Sequence, residues 1–374
     1  MKTSRRGFLA GTAAAPLLPL SSGPLDAFQI ARRHALVRDH PTPAFFEGML
    51  LGNGDIGVCV TVRPDALGLH IGKQDSWDIR VSEDHYQHVL PFGEFLKLWE
   101  RASEEAKRRG RPDMLHLERD IDFFADYTAK VTSSYRKPWP RPWPCGIVWI
   151  HWDSRMVRLV RQTLDPSNGL LTIELEHDDL RGTVRRLEVV CFVNWTANHV
   201  SVSTEQEAPF VSVAYYPYTD REAGLPPPEL AADATGFSCY QRFPAAVEGG
   251  PSDQDSSFAL AARLDGAWER DPAASRVFLR SRAAQPFRLD LTLFTPRDHR
   301  DNAGHAGREV ARLSSLPTAR LRRESEDGWR RFWSRSAVEL ADQELERLWY
   351  HNQYFLACCL REGKVAPGLF GNWT

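Results

Sequence analysis

The chain has 374 residues, with 47 Lys and Arg against 49 Asp and Glu, so its formal net charge is −2. This balance gives no electrostatic reason to expect nucleic acid or an anionic membrane as a partner, and a neutral polar partner such as a sugar fits better. The chain is longer than the usual limit for one hydrophobic core, so one large domain or two smaller ones are expected.

Residues 1–24 are predicted to be a targeting segment. A positively charged start precedes an apolar, Ala-rich stretch over residues 8–20, which is the order found in export signals. Residues 4–9 (SRRGFL) resemble the twin-arginine signal, an address read by a receptor. We therefore expect the twin-arginine export machinery as a partner and a periplasmic or extracellular location in a bacterium. The apolar stretch is too short for a stable membrane span.

Residues 28–300 are predicted to form a large antiparallel β-sandwich. Short runs with alternating or β-branched apolar residues are separated by turn residues, and their close spacing is typical of this fold. One inserted helix is expected between residues 93 and 110. The predicted strands are Ile56–Val62 and residues 67–71, 146–152, 156–164, 170–176, 183–193, 199–204, 210–216, 257–264, 276–279 and 287–295.

After residue 300 the apolar residues recur at helical intervals. Residues 301–340 are predicted to be a helical linker, and residues 341–374 a last helix, roughly 342–360, with the loop that follows it. Asp342 is expected to cap the start of this helix. We expect its apolar side chains to need further packing partners; they are Leu345, Leu348, Trp349, Phe355, Leu356 and Cys359.

The glycine-rich segment 47–57 (EGMLLGNGDIG) is the most distinctive internal motif. Glycines around Asn53 and Asp55 indicate a tight turn with positive φ, where the backbone approaches another group closely. A nucleotide loop is a poor interpretation, since such loops join a strand to a helix in a βαβ unit. A shaped hairpin is the better one. Further along, Asp75 and Asp78 flank Trp77, and they suit either acid–base chemistry or, more commonly, turn capping.

Residues 137–144 (KPWPRPWP) alternate Pro with Trp and Arg. Such a segment stays extended and presents its aromatic faces outward. Sugar rings stack on aromatic faces, so a sugar contact is one interpretation of this segment. A rigid loop covering a sheet edge is an equally good one.

No metal or cofactor is expected. The six cysteines lack zinc-site spacing, and Cys59 and Cys191 lie in apolar runs as buried small side chains. The sequence has no Gly-x-Ser-x-Gly, Walker or His-Glu-x-x-His motif, so hydrolysis by a serine triad or by zinc is not supported. Two groups of histidines lie in polar loops, where solvated His is usual: His85 with His88, and His299 with His305 beside Asp298 and Asp301.

Four short patches together resemble the N-terminal part of glycoside hydrolase family 95: residues 47–57, 75–77 (DSW), 332–336 (FWSRS) and 354–373. That family contains inverting α-L-fucosidases and related α-L-galactosidases, and uncharacterised exported bacterial proteins share its N-terminal domain. The resemblance implies a β-sandwich of the supersandwich type, a helical linker and an (α/α)6 barrel, of which residues 341–374 would be the truncated start. It implies an oligosaccharide or polysaccharide with α-linked deoxyhexose or hexose as the substrate.

The resemblance also implies a substrate site at the mouth of the barrel. The family's catalytic acid and base lie downstream of residue 374, so no catalytic residue is assigned and this chain alone is expected to be inactive. Where the family usually reads LQGIWN, residues 369–374 read LFGNWT. The candidate substrate-binding residues are Asn53, Asp55, Asp75, Trp77, Asn372 and Trp373.

Two other functions stay open. One is a carbohydrate-binding or scaffold sandwich without catalysis. The other is a glycoside phosphorylase of related architecture, which would require a basic phosphate pocket in the barrel. An inverting hydrolase instead needs a carboxylic acid and a carboxylate base separated by roughly 6.5–9.5 Å.

Overall fold

The computed structural model describes residues 26–111, 117–247, 253–271 and 276–373, so the predicted export signal lies outside the described residues. The described residues form eighteen β-strands and eight α-helices. The strands are β1 (Leu36–Arg38), β2 (Met49–Gly52), β3 (Ile56–Val62), β4 (Ala66–Lys73), β5 (Trp77–Asp78), β6 (Arg141–Pro142), β7 (Ile147–Trp152), β8 (Val157–Asp165), β9 (Leu170–Asp178), β10 (Val184–Val193), β11 (His199–Ala208), β12 (Phe210–Tyr216), β13 (Glu229–Asp233), β14 (Gly236–Phe243), β15 (Ser256–Asp265), β16 (Glu269–Arg270), β17 (Val277–Arg280) and β18 (Gln285–Phe294). The helices are α1 (Ala27–Arg33), α2 (Glu83–His88), α3 (Phe92–Arg108), α4 (Leu117–Asp120), α5 (Asp122–Ser134), α6 (Asn302–Ser314), α7 (Thr318–Trp333) and α8 (Gln343–Cys359).

Two large sheets form the sandwich. The nine-stranded sheet has the order β1-β8-β9-β10-β11-β18-β15-β14-β13, and the seven-stranded sheet has the order β16-β17-β12-β7-β4-β3-β2. The strands of both sheets pair in antiparallel fashion, for example β3 with β4 and β9 with β10. The predicted mainly β fold, an antiparallel sandwich followed by helices, is confirmed.

The apolar core lies between the two sheets and follows the period of two along each strand. In β9, Leu171, Ile173 and Leu175 are buried and alternate with more exposed residues. In contrast, β3 is buried on both faces. Its outer face is covered in part by the segment before β2, where Cys59 Sγ donates to Phe45 O at 3.2 Å.

A helical insertion, residues 79–140, leaves the sandwich through the small β5–β6 sheet. The helix predicted between residues 93 and 110 is α3, but the insertion also contains α2, α4 and α5. It has a small apolar core of its own, formed by Ala102, Ala106, Leu117, Ile121 and Phe124. The sequence pattern missed α5 because its apolar residues are spread around the helix and interrupted by Asp, Thr and Lys, so the helical period is weak.

The helices after residue 300 pack on the sandwich. Asp342 accepts from the backbone N of Glu344 and Leu345, which confirms the predicted cap of α8. Tyr350, Tyr354 and Cys358 of this helix are fully buried in the main core. Most of the apolar side chains predicted to need further partners are partly exposed. Leu345 and Leu348 are 55% exposed and Leu356 is 47% exposed, because other side chains of α8 face the sandwich.

Candidate functional site

The turn between β2 and β3 is a tight hairpin fixed by one asparagine. Gly54 has a φ of 83°, as the glycine pattern predicted. Asn53 Oδ1 accepts from the backbone N of Asp55 at 3.1 Å and of Ile56 at 3.0 Å. Its Nδ2 donates across the sandwich to Asn194 O and Ala197 O at 3.0 and 2.9 Å. The hydrogen bonds of Asn53 therefore join the turn to the β10–β11 connection, and its side chain is buried.

Three glycines of this motif mark places where the end of α8 or the loop after it touches the sandwich backbone. A Cβ atom added to Gly52 would lie 2.4 Å from Cys358 O, and one added to Gly54 would lie 2.7 Å from Leu360 O. One added to Gly57 would lie 2.4 Å from Asn372 Oδ1. The segment Gly52 to Gly57 is thus a cradle for the C-terminal end of α8, and we call it the glycine cradle.

The cradle and its neighbours satisfy the last carbonyls of α8, which have no partner within a helix. Gly54 N donates to Cys358 O at 2.8 Å. Gln74 Nε2 donates to Cys359 O at 2.6 Å, and Asn372 Nδ2 donates to Cys358 O at 2.9 Å. The sandwich and the returning loop together cap this helix.

Beside the cradle lies a buried lysine–carboxylate cluster formed by Asp55, Lys73, Asp75, Asp298 and Lys364. Lys73 Nζ lies 2.6 Å from Asp55 Oδ1, 2.8 Å from Asp75 Oδ1 and 3.0 Å from Asp298 Oδ2, and its side chain is fully buried. Lys364 Nζ lies 2.7 Å from both Asp55 Oδ2 and Asp298 Oδ1. The cluster joins the cradle, the turn after β4, the start of the linker and the loop after α8.

The charges in the cluster shift the pKa values of Asp55 and Lys73. Burial opposes the charged form of Asp55, but the charge of Lys73 and the hydrogen bonds from Lys364, Lys73 and Asn198 outweigh it, so the pKa of Asp55 is lowered. Burial also opposes the charge of Lys73, but the three carboxylates raise its pKa. A catalytic general acid needs a raised carboxyl pKa. Asp55 has the opposite shift, which suits a buried ionic junction.

The six predicted substrate-binding residues all lie around this junction. Trp373 Nε1 donates to Leu51 O at 2.9 Å, and Trp77 Nε1 donates to Gln74 O at 2.8 Å. Both indoles are half-buried, whereas Asn53, Asp55 and Asn372 are each 1% exposed. Asp75 Oδ2 accepts from Thr295 Oγ1 at 2.5 Å. The structure brings these residues together, and their contact with a substrate stays a prediction.

The sequence did not identify Lys73 or Lys364 as members of the site. Lys73 is the last residue of β4, and its three carboxylate partners lie on three separate segments. No spacing pattern connects residues so far apart in the chain. The local signal was the largely polar stretch 72–78. In that stretch the sequence pointed to Asp75, Trp77 and Asp78 as candidates, but not to Lys73.

The two tryptophans of residues 137–144 have different surroundings. Trp143 is 1% exposed and packs edge-on against Tyr218, with ring centroids 4.9 Å apart. Trp139 is half-buried and lies 4.7 Å from the Tyr135 ring. Trp143 therefore belongs to the core, and only Trp139 is accessible to a ligand.

Other side chains that were considered for chemistry are placed as follows. All six cysteines are free thiols and buried, including Cys59 and Cys191 as predicted. Asp78 is buried and forms an ion pair with Arg80. Across the described ranges, no group of three or more His, Cys, Asp or Glu is placed to hold a metal ion. In the same ranges, no helix is both long and apolar enough to cross a membrane.

Comparisons with known proteins give little beyond this geometry. No protein-family model matches the sequence. No curated protein matches it either. Among solved structures, a protein assigned as a kojibiose phosphorylase from the human microbiome matches 87% of this chain with 8% identity and a TM-score of 0.43. This chain spans 39% of that structure. A similarity at this level carries no information about the activity of the present chain.

Proposed function

We propose that this chain supplies the sandwich and linker of an exported glycoside hydrolase similar to family 95, which acts with inversion on α-linked deoxyhexose or hexose. The observation that supports this most is the docking of α8 on the glycine cradle. The buried side of α8 packs on the sandwich, while Leu345 and Leu348 face outward. A helix with apolar residues on its outer side suits packing against further helices, as in the first helix of an (α/α)6 barrel.

The lysine–carboxylate cluster has a structural role in this proposal. Its three carboxylates each lie within 3.0 Å of a lysine Nζ, so each one is engaged in an ion pair. Inversion instead requires one protonated carboxyl group and one free base. The catalytic pair would then belong to the helical barrel, and the cluster would fix the angle at which the sandwich meets it.

The candidate substrate-binding residues divide into two groups in this proposal. Trp77 and Trp373 are half-buried, so their rings would form the part of the rim that touches sugar. Asn53, Asp55 and Asn372 are buried, so they would hold that rim in place. Asp75 bridges the groups, since it binds Lys73 and is partly exposed.

An assay on aryl glycosides tests the hydrolase proposal. The 374-residue chain should not hydrolyse nitrophenyl α-L-fucoside or α-L-galactoside, whereas the product of a reading frame that continues past codon 374 should. Turnover by the 374-residue chain would contradict our placement of the catalytic pair. If the product of the longer reading frame cleaves no α-glycoside, the hydrolase proposal is wrong. Cleavage that depends on inorganic phosphate would favour the phosphorylase instead.

Export through the twin-arginine route is part of the same proposal. Replacing Arg5 and Arg6 together with Lys should retain the protein in the cytoplasm, since the receptor reads the arginine pair. Cell fractionation with an antibody against the chain measures this. Equal export of the original and the double variant would overturn it.

A carbohydrate-binding sandwich without catalysis is the second candidate. The observation in its favour is the accessible aromatic group around Trp139 on the helical insertion. Binding of a polysaccharide by the 374-residue chain, together with no cleavage by any longer product, would select this function.

A further inference from the structure

Three aromatic rings form a small cluster on the helical insertion. His85 lies in α2, Tyr135 follows α5 and Trp139 lies in the proline-rich segment. The Tyr135 and Trp139 centroids are 4.7 Å apart, and the His85 ring lies 5.4 Å from Tyr135 and 6.2 Å from Trp139. The planes of these rings are tilted by 25–41° to one another. We call this group the aromatic cluster.

Hydrogen bonds join the segments that carry the three rings. Trp139 Nε1 donates to Tyr135 O at 3.1 Å. Ser82 N donates to Pro138 O at 2.8 Å, and Ser82 Oγ accepts from His85 N at 3.1 Å. Ser82 thus joins the start of α2 to the proline-rich segment, whose prolines restrict its backbone. A preorganised site loses less conformational entropy on binding.

The cluster is accessible and has a polar border. Tyr135 is 43% exposed, and His85 and Trp139 are half-buried. Lys137 Nζ lies 3.9 Å from Asp84 Oδ2, and these two side chains are 57% and 61% exposed. This separation is longer than a hydrogen bond, so both side chains can bind a ligand. One hydroxyl group of the ligand can accept from Lys137, and the same or an adjacent hydroxyl group can donate to Asp84.

We propose that the aromatic cluster is a binding site for one pyranose unit of a neutral glycan, separate from the junction at the glycine cradle. The C–H face of the sugar stacks on Tyr135 and Trp139, and adjacent hydroxyls bind Asp84 and Lys137. The mixture of aromatic faces and a balanced charge pair matches a neutral polyol. An apolar partner would leave both charges without solvent. This site does not depend on the proposed hydrolase activity.

Affinity electrophoresis of the 374-residue chain tests the site. The chain is run through native gels containing soluble xyloglucan, galactomannan or mixed-linkage β-glucan, each over a range of concentrations. At least one of these polysaccharides should retard the original chain. Tyr135→Ala and Trp139→Ala should each weaken this binding by about tenfold, because a stacking face is lost, and Lys137→Ala should weaken it less.

Phe92→Ala is the matched control, since Phe92 is 78% exposed on the same insertion but is outside the aromatic cluster. It should be retarded as strongly as the original chain. Thermal melts check that each variant is folded, and Tyr135→Ala is decisive if Trp139→Ala unfolds. No retardation of the original chain, or equal retardation of Tyr135→Ala and Phe92→Ala, would overturn the proposal. Dimerisation that Tyr135→Ala abolishes, without retardation, would assign the cluster to self-association and also overturn it.

Discussion

Gly57 and Asn372 are in direct contact, although they lie at opposite ends of the described chain. A Cβ atom at residue 57 would lie 2.4 Å from Asn372 Oδ1 and 2.8 Å from Asn372 O. Asn372 is buried and donates to Cys358 O. The loop after α8 therefore returns to the middle of the glycine cradle, so that β3, the end of α8 and this loop form one packed unit.

We expect Gly57→Ala to destabilise the protein. The added methyl group must displace both the side chain and the backbone of Asn372, and overpacking of this kind costs about 1–3 kcal/mol. Urea unfolding followed by circular dichroism measures the loss. Gly307→Ala is the control, because Gly307 lies in α6 with no atom near an added Cβ, and an alanine there should be neutral or stabilising. Equal stability of the two variants would contradict the contact.

Gly54→Ala tests contact and backbone strain separately. Gly54 and Gly110 both have positive φ, at 83° and 71°, so alanine is strained at either position. Only Gly54 is also crowded, with Leu360 O 2.7 Å from an added Cβ, whereas Gly110 has nothing within 4 Å. We expect Gly110→Ala to cost about 1 kcal/mol, and Gly54→Ala to cost more. The difference between their unfolding free energies measures the docking of α8 on the cradle. Equal unfolding free energies would mean that Leu360 and Arg361 move away from the added methyl group without cost.

The strands of the sandwich were predictable because their signal is local. Leu171, Ile173 and Leu175 alternate within one strand, and the predicted range 170–176 falls inside β9. In β14, Phe237, Cys239 and Phe243 alternate in the same way, so this strand was available from the sequence but not found. Its neighbour β13 has the sequence ELAAD, which is poor in strand-forming residues.

The candidate site was predictable only in part. The glycines indicated that another part of the chain approaches the backbone closely. That part is the end of α8, and its position depends on packing that no local sequence pattern reveals. Asp55 was found because it lies within the motif, whereas Lys73 and Lys364 become its partners only when the chain folds. Long-range ion pairs of this kind leave no periodic trace in a single sequence.

We expect Asp55→Asn to change the acid stability of the protein. The pKa of Asp55 in the folded state lies below its ordinary value, so the unfolded chain takes up this proton first. Its contribution to stability is therefore complete above the ordinary carboxyl pKa of about 4, and it is lost as the pH falls through the lower, folded value. Urea unfolding between pH 7 and pH 2.5 should show a smaller acid dependence in the variant.

The same substitution should also lower stability at pH 7 by about 3–5 kcal/mol, since it removes one partner of a buried ion pair. Asp126→Asn, at an exposed position, is the control and should leave the acid dependence unchanged. If Asp55→Asn has the same pH profile as the original chain, Asp55 does not hold its charge in the folded state.

Lys73 should affect the stability of the protein at alkaline pH. Its pKa is raised, so its contribution is complete below about pH 10.4 and is lost as the pH rises further.

The two sides of α8 should respond in opposite ways to substitution. Tyr354 is fully buried, stacks on Trp329 at 5.1 Å and donates to Leu50 O at 3.0 Å. Tyr354→Ala should therefore cost about 3–5 kcal/mol. Leu348, at 55% exposure, is partly solvated already, so Leu348→Glu should change the unfolding free energy of this chain by less than about 0.5 kcal/mol. Chemical denaturation of both variants measures the contrast. A large loss from Leu348→Glu would show that the outer side of α8 is packed within this chain, which would remove the main support for a helical barrel against it.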